Sequence, residues 1–181
     1  MIIEEIYIEG CFIIKPDVYK DNRGAFFESY RKSFMEEGIG RQIEFVQENQ
    51  SISKKGVLRG FHFQEGEYSQ AKLVRVVKGE VIDVIVDLRR ESITFGKHYK
   101  VILNDKNNYQ LFIPRGFAHA FLALSDEAVF SYKCDNYYNK ASERGILYSD
   151  KTLNINWEYP HEKIIVSKKD KILPTFEEIL T

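Results

Sequence analysis

Cysteine is scarce in this chain: two residues, Cys11 and Cys134, stand far apart among 181. That argues against a disulfide framework and for two reduced thiols in a cytosolic protein. An excess of either charge is missing too. With 26 basic and 27 acidic side chains the net charge is −1, so no global field draws the protein to nucleic acid or to a membrane. No apolar run approaches the length that spans a bilayer. Met1-Ile2-Ile3-Glu4-Glu5 carries acids where a signal peptide carries bases, so a soluble, cytoplasmic protein is expected. Low-complexity linkers and tandem repeats are also lacking. Residues 1–181 therefore read as a single domain, whose 44% apolar content fills a sizeable core.

Aromatics are present in quantity, at 14%, beside plentiful Val and Ile, a mixture that suits an all-β protein. Short strands are predicted at Cys11 to Ile14, Ala71 to Val77, Glu80 to Leu88, Lys100 to Leu103, Tyr109 to Ile113 and Ile164 to Ser167. Ile43 to Ser51 reads as extended. Phe117 to Leu124 and Ala128 to Asp135 suggest a hairpin across Ser125-Asp126-Glu127. Ser33 to Glu37 predicts one or two helical turns stopped by Gly38, and Thr175 to Leu180 a terminal helix with Thr as N-cap. Many short strands with turn signals between them point to a mainly β, jelly-roll barrel or sandwich with short peripheral helices.

One strand carries unusual cargo. In Gly56-Val57-Leu58-Arg59-Gly60-Phe61-His62-Phe63-Gln64, strict alternation puts Leu58, His62 and Gln64 on one face and Val57, Phe61 and Phe63 on the other. A lone histidine there is ordinarily a satisfied core residue. In Glu80 to Leu88, Ile82, Val84, Val86 and Leu88 face one way, and Asp83 and Asp87 the other. Two spacings change the weight of His62. Five residues separate Gly56 from His62, and six separate Lys72 from Gly79, with Pro114-Arg115-Gly116-Phe117-Ala118-His119 further on.

This pattern resembles the two motifs of the cupin superfamily, small jelly rolls with a site in the barrel mouth. Where metal-binding cupins have a second His and a Glu, this chain has Gln64 and Lys72. A divalent ion wants neutral imidazoles and carboxylates, and an ammonium among them repels it, so no metal is expected. A base and a cation together suit proton abstraction beside a carbonyl, the cation stabilising the enolate. Lys72 on a solvated strand edge is the plainer alternative.

The order and spacing of further segments extend the likeness over nearly the whole chain. They include Asp21-Asn22-Arg23-Gly24-Ala25-Phe26-Phe27-Glu28-Ser29-Tyr30, Phe45-Val46-Gln47-Glu48-Asn49, Tyr132-Lys133-Cys134 and Ser167-Lys168-Lys169-Asp170. The chain resembles the dTDP-4-dehydrorhamnose 3,5-epimerases. That resemblance implies a cofactor-free double epimerisation of a dTDP-linked 4-keto-6-deoxy sugar in dTDP-L-rhamnose biosynthesis, by a homodimer. It implies His62 as general base, Asp170 as the acid that orients it, Lys72 as the cation on the enolate and Tyr132 as proton donor from the opposite face.

By the same resemblance Arg23, Arg59 and Lys169 meet the diphosphate or sugar. Glu28, Gln47, Asn49 and Glu143 contact the nucleotide, Tyr138 stacks on thymine, and His119 lies near the sugar. Taken alone, each also fits an ordinary surface or packing role. Arg59 and His62 fall on opposite faces under strict alternation; a bulge at Gly60 or a reach round the rim would reconcile them. Phe61, Ala120, Tyr148 and Glu158 depart from the usual Leu, Gly, Trp and Pro, and Phe61 beside the base is a candidate for altered sugar fit. His98 and His161 read as surface or structural, and Trp157 as core or interface. Three rivals stay open: a 3- or 5-mono-epimerase on another 4-keto nucleotide sugar, a metal-dependent cupin oxygenase, and a sugar-binding module without catalysis.

Overall fold

The computed structural model describes residues 1–180. In chain order the strands are β1 (Ile2–Glu5), β2 (Phe12–Lys15), β3 (Tyr19–Asp21) and β4 (Gly24–Phe26), then helix α1 (Lys32–Ile39). There follow β5 (Gln47–Lys54), β6 (Val57–Gln64), β7 (Lys72–Lys78), β8 (Glu80–Asp87) and β9 (His98–Asn104). The chain continues through β10 (Gln110–Ile113), β11 (Phe117–Ala123), β12 (Glu127–Cys134), β13 (Glu143–Gly145) and β14 (Ile165–Val166). Among the described residues no helix is long and apolar enough to cross a membrane.

Two sheets stack face to face, in strand order β1-β2-β10-β7-β12-β5 and β13-β6-β11-β8-β9, while β3 and β4 pair apart as a small hairpin. From β7 to β12 the chain passes repeatedly between the sheets, the jelly-roll arrangement that the short strands led one to expect. Three apolar clusters result. Val74, Val76, Val81, Ile85, Phe117, Phe121 and Phe130 fill the space between the sheets. Leu58, Phe61, Ile82, Val84, Val86, Trp157 and Phe176 lie behind the second sheet, covered by the C-terminal segment. Phe12, Ile14, Met35, Leu73 and Phe112 pack under α1 behind the first. Strand β8 thus feeds one cluster with odd-numbered residues and another with even-numbered ones, which is why both its faces are buried.

The suggested hairpin between Phe117–Leu124 and Ala128–Asp135 does not form. Strand β11 lies between β6 and β8 in one sheet, and β12 between β7 and β5 in the other. The Ser125–Glu127 connection turns the corner between them, with Ser125 Oγ accepting from Glu80 N–H at 2.9 Å. Alternation assigns a face, not a neighbour, so a corner and a hairpin look alike in sequence.

Two helix boundaries also move. Gly38 lies inside α1, where a Cβ would come within 2.4 Å of Ile3 Cδ1, so its smallness serves close packing on β1. The stop is Gly40, left-handed at φ 76°, its N–H donating to Glu36 O at 2.9 Å. At the C-terminus Thr175 N–H donates to Glu178 Oε2 at 2.7 Å and Thr175 Oγ1 accepts from Glu178 N–H, a closed capping box. Only turns follow it. Phe176 is buried beside Phe95, and its N–H is held by Asp150 Oδ2 at 2.8 Å, so tertiary packing overrides the helix signal.

Candidate active site

Between the sheets, at one end, opens a cavity of about 500 Å³, within the range of small-molecule sites. Its walls follow from register. On β12, Tyr132 sits opposite Asn49 of β5 and Val74 of β7, and Cys134 opposite Gln47 and Lys72. The side-chain period of two then aims Gln47, Asn49, Lys72 and Tyr132 into the same space.

The facing wall is β6 and β11, where the register slips. His119 pairs with His62 and Phe121 with Arg59, so β6 spends one residue more than β11 between the two pairs. The extra residue lies around Gly60, at φ 121°, where a Cβ would come within 2.5 Å of Ala120 Cβ and His119 O. This bulge settles the conflict over Arg59 and His62: parity flips, and both line the cavity. It also corrects the expected grouping of Leu58 with His62. Leu58 packs with Phe61 in the outer cluster. Phe61 itself is fully buried against Trp157, ring centroids 5.8 Å apart, and does not line the cavity.

Asp170 reaches His62 through β14, which adds parallel to β6 at Val57 and Leu58 and delivers the Ser167–Asp170 turn beside the histidine. Asp170 N–H donates to Ser167 Oγ at 3.0 Å, fixing that turn. His62 Nε2 then lies 2.7 Å from Asp170 Oδ1, with Asp170 4% exposed. Burial alone would raise the Asp170 carboxyl, but hydrogen bonds and charge from His62, with help from Ser167, hold it below the ordinary carboxylate range. An ionised Asp170 accepts a hydrogen bond from an N–H on Nε2, which fixes the orientation of the ring.

Lys72 Nζ stands 5.9 Å from the Tyr132 ring centroid. Burial pushes the Lys72 amine down, against an upward pull from Cys134, Asp83 and Glu143. Burial pushes the Tyr132 phenol up, so it remains a protonated donor at neutral pH. At the mouth, Glu143 Oε2 accepts from Tyr138 OH at 2.9 Å and from Lys169 Nζ at 2.5 Å. Burial works against ionisation of Glu143, yet these two donors hold its carboxyl below the usual range. Arg59 donates to Ser53 Oγ at 3.0 Å and is thereby splayed along the wall.

All the residues singled out from sequence except Arg23 and Glu28 line this cavity. Arg23 is on the β3–β4 hairpin, paired with Asp21 at 2.6 Å, and Glu28 pairs with Arg31 at 2.8 Å. Gln64, in the place of a second cupin His, spends its amide on backbone: Nε2 donates to Tyr68 O and Tyr137 O, and Oε1 accepts from Asn139 N–H. It holds the loop that carries Tyr138. Sequence reasoning gave no role to Phe121 and Phe130, stacked 4.2 Å apart on the floor, nor to Asp83, whose Oδ2 lies 2.8 Å from His119 Nε2. The available signal for Asp83 was its alternation with Ile82 and Val84 on β8.

Known proteins resemble this chain over nearly its whole length. Residues 5–178 match the dTDP-4-dehydrorhamnose 3,5-epimerase family. A dTDP-4-dehydrorhamnose 3,5-epimerase of Shigella flexneri is 53% identical over 90% of this chain and 89% of its own. The crystal structure of such an epimerase from Elizabethkingia anophelis superposes with a TM-score of 0.94 at 48% identity, covering 98% of this chain and 97% of that one. A dTDP-6-deoxy-D-glucose-3,5-epimerase from Legionella pneumophila, solved with dTDP-4-keto-L-rhamnose, gives 0.93 at 45% identity, over 98% and 93% of the two chains. The chain, with His62, Lys72 and Tyr132 gathered in one jelly-roll mouth, belongs to the dTDP-4-dehydrorhamnose 3,5-epimerase family.

Proposed function

We propose that this protein converts dTDP-4-dehydro-6-deoxy-D-glucose into dTDP-4-dehydro-L-rhamnose by inverting C3 and C5, a step of dTDP-L-rhamnose biosynthesis. The observation that carries the proposal is the gathering of His62–Asp170, Lys72 and Tyr132 around one cavity. The ketone at C4 acidifies the protons at both neighbouring carbons, so proton transfer alone accomplishes the chemistry and no nicotinamide is called for. The free ring nitrogen of His62 takes the proton, and Asp170 stabilises the imidazolium. The C–H electron pair moves onto the ketone oxygen, where the Lys72 ammonium meets the developing charge. Tyr132 returns a proton to the opposite face, which inverts the carbon. Against an enolate, a phenol held protonated by burial is acid enough.

Arg59 and Lys169 take the diphosphate, with the forked guanidinium matched to phosphate oxygens. Gln47, Asn49 and Glu143 contact the nucleotide, Tyr138, half exposed at the mouth, stacks on thymine, and His119 meets the sugar. Arg23 and Glu28 enter through a homodimer. Strand β5 presents an open sheet edge beside Gln47 and Asn49, and the hairpin bearing Arg23 exposes Tyr19 and Phe26, so a second copy is their natural cover. The reaction is placed in the cytoplasm, a compartment that suits the free thiols of Cys11 and Cys134.

Incubation with dTDP-4-keto-6-deoxyglucose in heavy water, followed by NMR, tests the proposal. Deuterium at both C3 and C5 with formation of the L-rhamno ketosugar is expected. Incorporation at one carbon after full equilibration would replace it with the mono-epimerase reading.

A further inference from the structure

Between β12 and β13 the chain runs along the cavity mouth as Asn136-Tyr137-Tyr138-Asn139, without regular secondary structure. Such a stretch has no ladder of its own, so side chains must satisfy its backbone groups. Amides do this from several sides. On β6, Gln64 Nε2 donates to Tyr137 O at 3.3 Å and Gln64 Oε1 accepts from Asn139 N–H at 2.9 Å. On β5, in the opposite sheet, Gln47 Oε1 accepts from Tyr138 N–H at 3.0 Å. Gln70 Nε2 donates to Asn136 O at 2.8 Å, and Asn136 Nδ2 donates to Glu67 O at 2.7 Å.

Gln64 differs from the others in burial and in place. It is 8% exposed, whereas Gln47, Gln70 and Asn136 are half-buried. It also stands on the strand that bears His62, two residues further along. Its second N–H donates to Tyr68 O at 3.3 Å, so one side chain ties two loops of the mouth to β6. Tyr138 is held at its other end as well, its hydroxyl donating to Glu143 Oε2 at 2.9 Å, while the residue stays 51% exposed. Backbone and ring tip are both fixed, and much of the ring remains open.

We infer that Gln64 is a positioning residue for nucleotide binding, which sets the Tyr138 ring at a fixed reach from His62 by holding the Tyr137–Asn139 backbone. The inference rests on reading Tyr138 as the platform for the base. An aromatic on an untethered loop must be ordered by its ligand, which weakens binding; a tether that orders it beforehand removes that loss. The departure from the cupin pattern at this position acquires a reason. A neutral imidazole offers one donor and one acceptor, and the two loops take two donors and an acceptor.

The test is a double-mutant cycle on dTDP affinity, read by calorimetric titration of Gln64→Met, Tyr138→Ala and the double variant. Methionine keeps the length of Gln64 and removes its three bonds. No ketosugar is present, so the outcome is separate from that of the heavy-water experiment. Gln64→Met should weaken dTDP binding about tenfold when Tyr138 is present, and by about twofold or less in the Tyr138→Ala background. With the ketosugar substrate, KM should rise by a similar factor while kcat stays within a few fold. Equal losses in the two backgrounds overturn the inference, as does wild-type affinity in Gln64→Met. If the thermal transition shows that Gln64→Met does not fold, Asn136→Ala decides, because it loosens the same stretch from a half-buried position. Its loss of affinity should likewise depend on Tyr138, and equal losses with and without that ring overturn the inference.

Discussion

His62 Nε2 lies 2.7 Å from Oδ1 of Asp170, an acid 108 residues further along the chain. Nothing local holds that pair together. It exists because β14 docks parallel on the outer edge of β6, and because the bulge at Gly60 turns His62 inward. The placement of His62 is thus a product of sheet assembly, and its properties follow from the partners that assembly supplies.

His62→Ala should abolish deuterium exchange at both carbons while dTDP affinity stays within a few fold, since the residues proposed to hold the nucleotide, Gln47, Asn49, Tyr138 and Glu143, are other parts of the cavity wall. Exchange by NMR and calorimetric titration with dTDP measure the two quantities. Large residual exchange would remove His62 from the role of base.

Asp170→Asn separates orientation from charge. The Asp170 carboxyl is held below its ordinary range in the folded protein. Its contribution to stability is therefore present above the unfolded carboxylate pKa of about 3.9 and lost as pH falls through the lower folded value. The asparagine variant should be less stable than wild type at pH 7 and should lose less stability on acidification. Denaturant unfolding at a series of pH values reads this; parallel curves would mean that the pair does not couple to folding.

Tyr132→Phe should still lose the substrate proton but fail to invert. Exchange at the original configuration should then outpace formation of epimer, as followed by NMR in heavy water. Normal epimerisation would mean that another group is the acid.

Lys72→Ala should lower kcat by on the order of 10²–10³, the usual cost of one oxyanion donor. In the wild type, burial holds this amine below the ordinary lysine range, so activity should decline on the alkaline side at a lower pH than a free lysine would dictate. A pH–rate profile flat through that region would contradict the role.

Gly60→Ala probes the bulge. The new Cβ would meet Ala120 Cβ and His119 O at 2.5 Å, on a backbone at φ 121°. The backbone conformation alone should cost roughly 1–3 kcal/mol, seen as a lowered unfolding midpoint. Relief by straightening β6 would carry Arg59 and His62 to opposite faces, so surviving protein should bind dTDP-sugar poorly. Wild-type stability and affinity in this variant would mean that the bulge is not what aims the pair.

Much of this was legible in the residues. Strand positions came from alternation and turn chemistry, and Lys72, Val74 and Val76 share a face as their spacing predicts. Where the reading missed, a tertiary fact had intervened. The corner after β11 looks like a hairpin because sequence encodes which face is apolar and not which strand lies alongside. Thr175 and Glu178 form their capping box, yet the helix they announce yields to the anchoring of Phe176. Arg59 and His62 were in conflict until the register of β6 against β11 was known. Arg23 and Glu28 do not line the cavity of their own chain, and a single sequence carries no pattern that reports contacts between copies. Asp83 was set only on the face of β8 opposite Ile82, Val84 and Val86; that this face is buried too, and that the acid bonds His119, depends on strands brought side by side.

The account turns on geometry around the sugar: imidazole on one face, phenol on the other, ammonium at the carbonyl. A crystal structure of this protein with a bound dTDP-4-keto sugar measures all three at once. The expected result has the ring between His62 and Tyr132, with the C4 oxygen within hydrogen-bond reach of Lys72 Nζ. A ring with both side chains on the same face, or with Lys72 turned from the carbonyl, would contradict it.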